Sequence, residues 1–91
     1  MMTWQLRSTK LFDKQLKRID QVTKIRILAF LKYRVLSADE PRLYGKPLTG
    51  ELSGYWSYRI GDYRVIADIE DETFTIVAID VGHRRDVYVH H

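Results

Sequence analysis

Arg59 and Arg64 sit on either side of Gly61-Asp62, in a stretch whose side chains alternate. Trp56, Tyr58 and Ile60 alternate with Tyr55, Ser57 and Arg59. After the Gly-Asp pair, Tyr63, Val65, Ala67 and Ile69 alternate with Arg64, Ile66 and Asp68. Such a pattern predicts two half-buried strands. Gly61-Asp62 predicts a two-residue hairpin loop, because glycine supplies the positive φ that a type II′ turn needs at its first central position. That loop sets Ile60 opposite Tyr63 and Arg59 opposite Arg64. Like charges facing each other across strands cost a hairpin ~0.2–1 kcal/mol. An anion from outside would relieve them, and the planar guanidinium fork suits a phosphate. A carboxylate of this chain, Asp62 or Asp68 among them, is the alternative partner.

Further residues with chemical potential lie on both sides of this hairpin. The run His83-Arg84-Arg85-Asp86-Val87-Tyr88 follows a mostly apolar strand, Phe74 to Val81, that Gly82 is expected to break. His83 carries an imidazole whose ordinary pKa of about 6.5 suits acid or base work. With Arg84 and Tyr88 it is expected to bend toward the concavity holding Arg59, Arg64 and Ser57. Lys46 and Glu51 lie just before the hairpin, and Glu51 is a second candidate base. Three histidines without a Cys, His or carboxylate partner at ligand spacing predict no metal site, and no cofactor is expected. The aromatic alternation of Trp56, Tyr58, Tyr63 and Phe74 reads as core; Tyr33 and Tyr44 receive no role.

The positioning elements follow from periodicity and punctuation. A short strand is predicted over 3–8. Ser8 or Thr9 can then cap a helix in which Leu11 or Phe12, Leu16 and Ile19 recur. Asp20 or Thr23 can cap a second helix, whose expected buried stripe is Val22, Ile25, Leu28, Ala29, Leu31 and Val35. Residues 37–54 hold Pro41, Gly45, Pro47, Gly50 and Gly54, and read as a long loop. The order is β-α-α-β-β-β, with room for a last short strand. It is an α+β domain over residues 1–91, a helical hairpin packed on one face of a small, mainly antiparallel sheet.

Composition bounds the partners. The 91 residues carry a net charge of +3, unevenly spread. Residues 10–34 hold eight basic side chains against Asp13 and Asp20, whereas residues 35–91 hold six basic and ten acidic. A basic face suits a polyanion or an acidic protein; a solvated pair of helices is the plainer reading. No cysteine is present, so disulfides and thiolate metal sites are excluded. With no long apolar run, a cytoplasmic protein without membrane contact is expected.

Three blocks together carry a resemblance: Lys46-Pro47-Leu48-Thr49-Gly50-Glu51-Leu52, the run from Trp56 to Ile66, and the run from Val81 to Tyr88. The sequence resembles the RelE/ParE toxin superfamily of type II toxin–antitoxin systems, most closely its RelE branch. The resemblance spans nearly the whole chain and implies a fold like that of microbial ribonucleases. It implies a toxin that enters the ribosomal A site and cleaves messenger RNA, and a cognate antitoxin that wraps and blocks it. Operator DNA would be met only through the antitoxin complex. On this likeness Arg64 matches the arginine that contacts the scissile phosphate, Arg84 one used on phosphate or leaving group, and Tyr88 the tyrosine that stacks on a base. Arg59 matches a basic position on the hairpin's first strand. Lys46, Glu51 and Arg85 are weaker RNA-binding candidates. The lysines that well-studied RelE proteins carry here are missing from Tyr55-Trp56-Ser57-Tyr58. The same likeness admits a ParE-like gyrase inhibitor or an inactive relic that only binds its antitoxin.

Metal-free RNA cleavage needs a base for the 2′-hydroxyl, cations for the phosphorane charge and an acid for the leaving oxygen. It leaves a 2′,3′-cyclic phosphate and a 5′-hydroxyl. Arg59, Arg64 and Arg84 would supply the cations, at ~2.7–4 kcal/mol for each well-aimed donor. His83 is the candidate for proton transfer, with the terminal His90 and His91 less favoured.

Overall fold

A computed structural model describes residues 4–83. Arg84, Arg85, Tyr88, His90 and His91 therefore lie outside the described residues. The order is β1 (Gln5–Ser8), α1 (Lys10–Lys17), α2 (Gln21–Phe30), β2 (Lys46–Pro47), β3 (Trp56–Ile60), β4 (Tyr63–Glu70) and β5 (Thr75–His83). The sheet runs β1-β5-β4-β3-β2. β1 is parallel to β5 and every other pairing is antiparallel. No described helix is long and apolar enough to cross a membrane.

Both helices start at the polar residues expected of them. The Thr9 hydroxyl accepts from the Phe12 N–H, and the Asp20 carboxylate accepts from that of Thr23. The hydrogen bonds from Thr23 hold the Asp20 carboxyl below its usual range. The face presented to the sheet matches the expected stripe at Leu31 and Val35 but not at Val22, Ile25 and Leu28, where Ile27 takes the buried place. Ile27, Leu31 and Val35 are fully buried, whereas Val22 and Ile25 remain 68% and 56% exposed. α2 is apolar on opposite sides, so periodicity alone does not choose between them. Past Phe30 the helix widens into one π turn, Leu31–Val35, closed by the Leu36 N–H donating to the Leu31 carbonyl.

The segment 37–54 is more structured than a loop. Single 3₁₀ turns at Pro41–Tyr44 and Gly50–Leu52 flank β2, a strand of only two residues. Arg42 clasps this segment to the far end of the sheet. Its guanidinium donates to both Asp71 oxygens, at 3.0 and 2.6 Å, and to Glu40 at 3.1 Å. The same group lies over the Trp56 ring. Arg42 is thereby held more firmly protonated than usual, and its hydrogen bonds hold Asp71 below the usual carboxylate range.

The hairpin register is the expected one: Ile60 faces Tyr63 and Arg59 faces Arg64. Gly61, at φ +60°, opens the loop. On β5 the strand runs straight through Gly82 rather than breaking there. Its irregularity is a bulge: Ala67 pairs with Ala78 but Ile66 with Asp80, leaving Ile79 unpaired. Beyond the end of β1, α1 covers the open edge of β5. The Val81 N–H donates to Gln15 Oε1, and Gln15 Nε2 donates to Asp80.

Candidate functional site

Alternation sorts the strands onto two faces. Tyr58, Ile60, Val65, Ala67, Ile76, Ala78 and Val81 point to the helices and join Phe12, Ile27 and Leu31 in the core. Each fully buried valine, leucine, isoleucine or phenylalanine among them contributes ~1.5–3 kcal/mol relative to its exposed state. The opposite face is laid out in rows by the same register. One row is Lys46, Ser57, Ile66 and Asp80; the next is Arg59, Arg64 and Gly82.

Lys46, Ser57, Arg59 and Arg64 line a cavity of about 260 Å³ together with Leu43, Tyr44 and Gly45, the segment leading into β2. Two guanidinium groups and one ammonium therefore share this concavity, and among the described residues that line it there is no acid. Arg59 is exposed, and its Nε–H donates weakly to the Gly61 carbonyl at 3.5 Å. Among the described residues it has no carboxylate at ion-pair distance. Arg64 is half-buried. Asp68 is four residues along β4 from Arg64, ~13 Å of strand. Such an arrangement can hold an anion of one or two negative charges by charge-assisted, forked hydrogen bonds.

The wall behind the cleft is rigid. Tyr58 is fully buried on the helix side, and its hydroxyl donates to the Pro41 carbonyl at 3.0 Å. Burial pushes that hydroxyl's pKa up to about 12, the nearby Arg42 charge pulling the other way and Glu40 adding to the rise. The segment leading into β2 presses closely on this wall. A Cβ at Gly45 would stand 3.0 Å from a Tyr58 ring carbon and 3.1 Å from the Ser57 carbonyl oxygen. Only glycine lets that segment approach this closely.

Other sequence candidates fall elsewhere. Glu51 is exposed in the Gly50–Leu52 turn and does not line the cavity. His83 faces Tyr63, on the helix side of the sheet, with the two rings edge to face at 5.8 Å. The bulge at Ile79 is the reason: one extra residue reverses which face each later side chain takes. The expectation that His83 bends toward the arginines is thus not met. Among the described residues, no three His, Asp or Glu side chains gather as a metal site would require. Tyr44 belongs to the cavity although the sequence offered no signal for it; it ends a single 3₁₀ turn, Pro41–Tyr44, too short for periodicity to reveal.

Comparison with known proteins agrees with this architecture. Residues 6–88 match the family described as the ParE toxin of type II toxin-antitoxin system, parDE. The chain is similar to the toxin RelG of Mycobacterium tuberculosis, 49% identical over 49 residues, covering 54% of this chain and 56% of that protein. It is also similar to the toxin RelE of the same organism, 38% identical over 50 residues, covering 55% and 52% respectively. The matches span little more than half the length of these curated relatives. In three dimensions it is similar to a chain of the M. tuberculosis toxin-antitoxin complex RelBE2, with TM-score 0.83 and 32% identity over 92% of this chain and 94% of that one. A mutant of the E. coli toxin RelE in the free state shares the fold, with TM-score 0.76 at 20% identity over 99% and 92%. With a family match running from β1 past the end of β5, the chain belongs to the ParE toxin family of type II toxin–antitoxin systems, within the RelE/ParE superfamily.

Proposed function

We propose that this toxin is a metal-independent endoribonuclease that cuts messenger RNA at the ribosomal A site, in the cytoplasm, and so stops translation. The observation that carries the reading is the cross-strand pair Arg59–Arg64, opposite in register and sharing one cavity with Lys46. A fold that tolerates like charges face to face gains by binding a polyanion between them. In the reaction, the 2′-oxygen attacks the adjacent phosphorus and the bond from phosphorus to the 5′-oxygen breaks. The 2′-hydroxyl gives its proton to a base, and the departing 5′-oxygen takes one from an acid. Arg64 and Arg59 offset the charge that develops on the phosphorane oxygens, and Lys46 holds a flanking phosphate. Arg84 and Tyr88 complete the proposed set; Arg85 adds a weaker contact. Glu51 and His83, both outside the cavity, are proton-transfer candidates only through movement of their segments or a bridging water.

A cognate antitoxin holds the toxin inactive, a reading supported by the toxin-antitoxin complex among its structural relatives. Operator DNA is bound only by that complex. The matched family itself favours a second reading, gyrase inhibition without nuclease chemistry. Induced expression followed by transcript end-mapping and a gyrase supercoiling assay separates the two. The nuclease reading expects cut transcripts and normal supercoiling; intact transcripts with blocked supercoiling would overturn it.

A further inference from the structure

Tyr44 stands in the lining of the cationic cleft, 43% exposed, on a segment that several contacts hold. Its ring meets Phe30 edge-on, with centroids 6.5 Å apart and planes at 88°. On one side of it, the Gly45 N–H donates to the Arg42 carbonyl and the glycine lies tight against Tyr58 and Ser57. Lys46 then pairs with Ser57, one step along β3 from Arg59's row. These contacts hold the aromatic ring in the same cavity lining as the two arginines.

We propose that Tyr44 is a base-stacking, positioning residue of this cleft: a nucleobase beside the phosphate held by Arg59 and Arg64 lies against its ring. This deepens the nuclease reading and rests on it. The chemistry of the lining is divided in the way a nucleotide is divided. Lys46, Arg59 and Arg64 offer cations for the phosphate, while Leu43 and Tyr44 offer an apolar, aromatic surface for the base. The cavity's volume of about 260 Å³ lies near the lower end of ligand clefts, ~300–1,000 Å³. It takes in a phosphate and part of one nucleotide, and a base reaches the Tyr44 ring from a single strand, where its face is free to stack. A ring held in place loses little freedom on stacking, and its contact with any base is sequence-tolerant.

The test uses the whole chain and a short single-stranded RNA with 2′-O-methyl sugars, which resists cleavage, bearing one 2-aminopurine as a fluorescent base. Native protein is expected to bind it and quench its fluorescence. Tyr44→Leu keeps apolar contact with Phe30 but removes the π-face; it should weaken binding by about 5- to 100-fold and abolish the quench. Tyr44→Phe and Tyr44→Trp keep a ring and should behave as native. Binding by Tyr44→Leu within about twofold of native, with the quench intact, would overturn the inference, as would equal losses in Tyr44→Phe and Tyr44→Leu. Arg59→Ala examines the parent reading separately. If Arg59→Ala loses binding while Tyr44→Leu does not, stacking alone falls. If neither loses it, or native protein does not bind, the cleft's role in RNA binding falls with it.

Discussion

One face of the sheet carries Tyr58, Val65, Ala67, Ile76 and Ala78, all buried beneath two helices. The other carries Lys46, Ser57, Arg59 and Arg64 around a cleft. Both sets come from the same strands, residue by residue in turn. Register is therefore a shared property: the pairing that sets Tyr58 beside Val65 in the core also sets Arg59 opposite Arg64. The core side is stabilised by burial. The cleft side carries like charges in a position where a fold selected for stability alone would carry opposite ones.

Substitutions on the two faces should therefore separate activity from stability. The largest effect is expected from Arg59→Ala, which removes one aimed donor and should lower the cleavage rate about 10²–10³-fold. Because Arg59 is exposed, chemical denaturation should show stability changed by no more than ~0.5 kcal/mol. A destabilised Arg59→Ala protein would break the comparison. On the core face, Ile76→Ala should cost ~2–5 kcal/mol in the same denaturation experiment, because Ile76 is fully buried and its neighbours relax only partly.

Tyr58 joins the two faces and gives a pH signature. Its hydroxyl titrates near pH 10 in an unfolded chain and is pushed up to about 12 in the fold. The folded state thus favours the protonated form. This contribution, about 2–3 kcal/mol at most, is complete below pH 10 and disappears as pH rises through 12. Urea unfolding at a series of alkaline pH values should show that decline. Tyr58→Phe should flatten it, while costing ~1 kcal/mol or somewhat more at neutral pH through the unpartnered Pro41 carbonyl. A smaller contrast lies within α2. Ile25→Ser, at an exposed position, should change stability by no more than ~0.5 kcal/mol.

The sequence made the hairpin legible because Gly61-Asp62 fixes both loop length and turn type, and every cross-strand partner follows from it. The capping residues Thr9 and Asp20 were legible because few side chains can accept an orphan N–H. The sheet-facing side of α2 was legible only toward its C-terminal end, at Leu31 and Val35, since Val22, Ile25 and Leu28 offer as good an apolar stripe in the first turns as Ile27 does. The placement of His83 was not legible. A bulge at Ile79 leaves no mark in an apolar run, yet it reverses the facing of Asp80, Val81, Gly82 and His83. Tyr44's membership of the cleft depends on a single 3₁₀ turn and on a contact with Phe30 from a distant helix, and neither has a local pattern.

Single-turnover cleavage of ribosome-bound messenger RNA by native protein and by Arg64→Ala, with chemical analysis of the new ends, addresses the central claim. Native protein should leave 2′,3′-cyclic phosphate and 5′-hydroxyl ends, and Arg64→Ala should slow their appearance about 10²–10³-fold while folding normally. Equal rates from the two proteins, or no cleavage by the native one, would contradict the account.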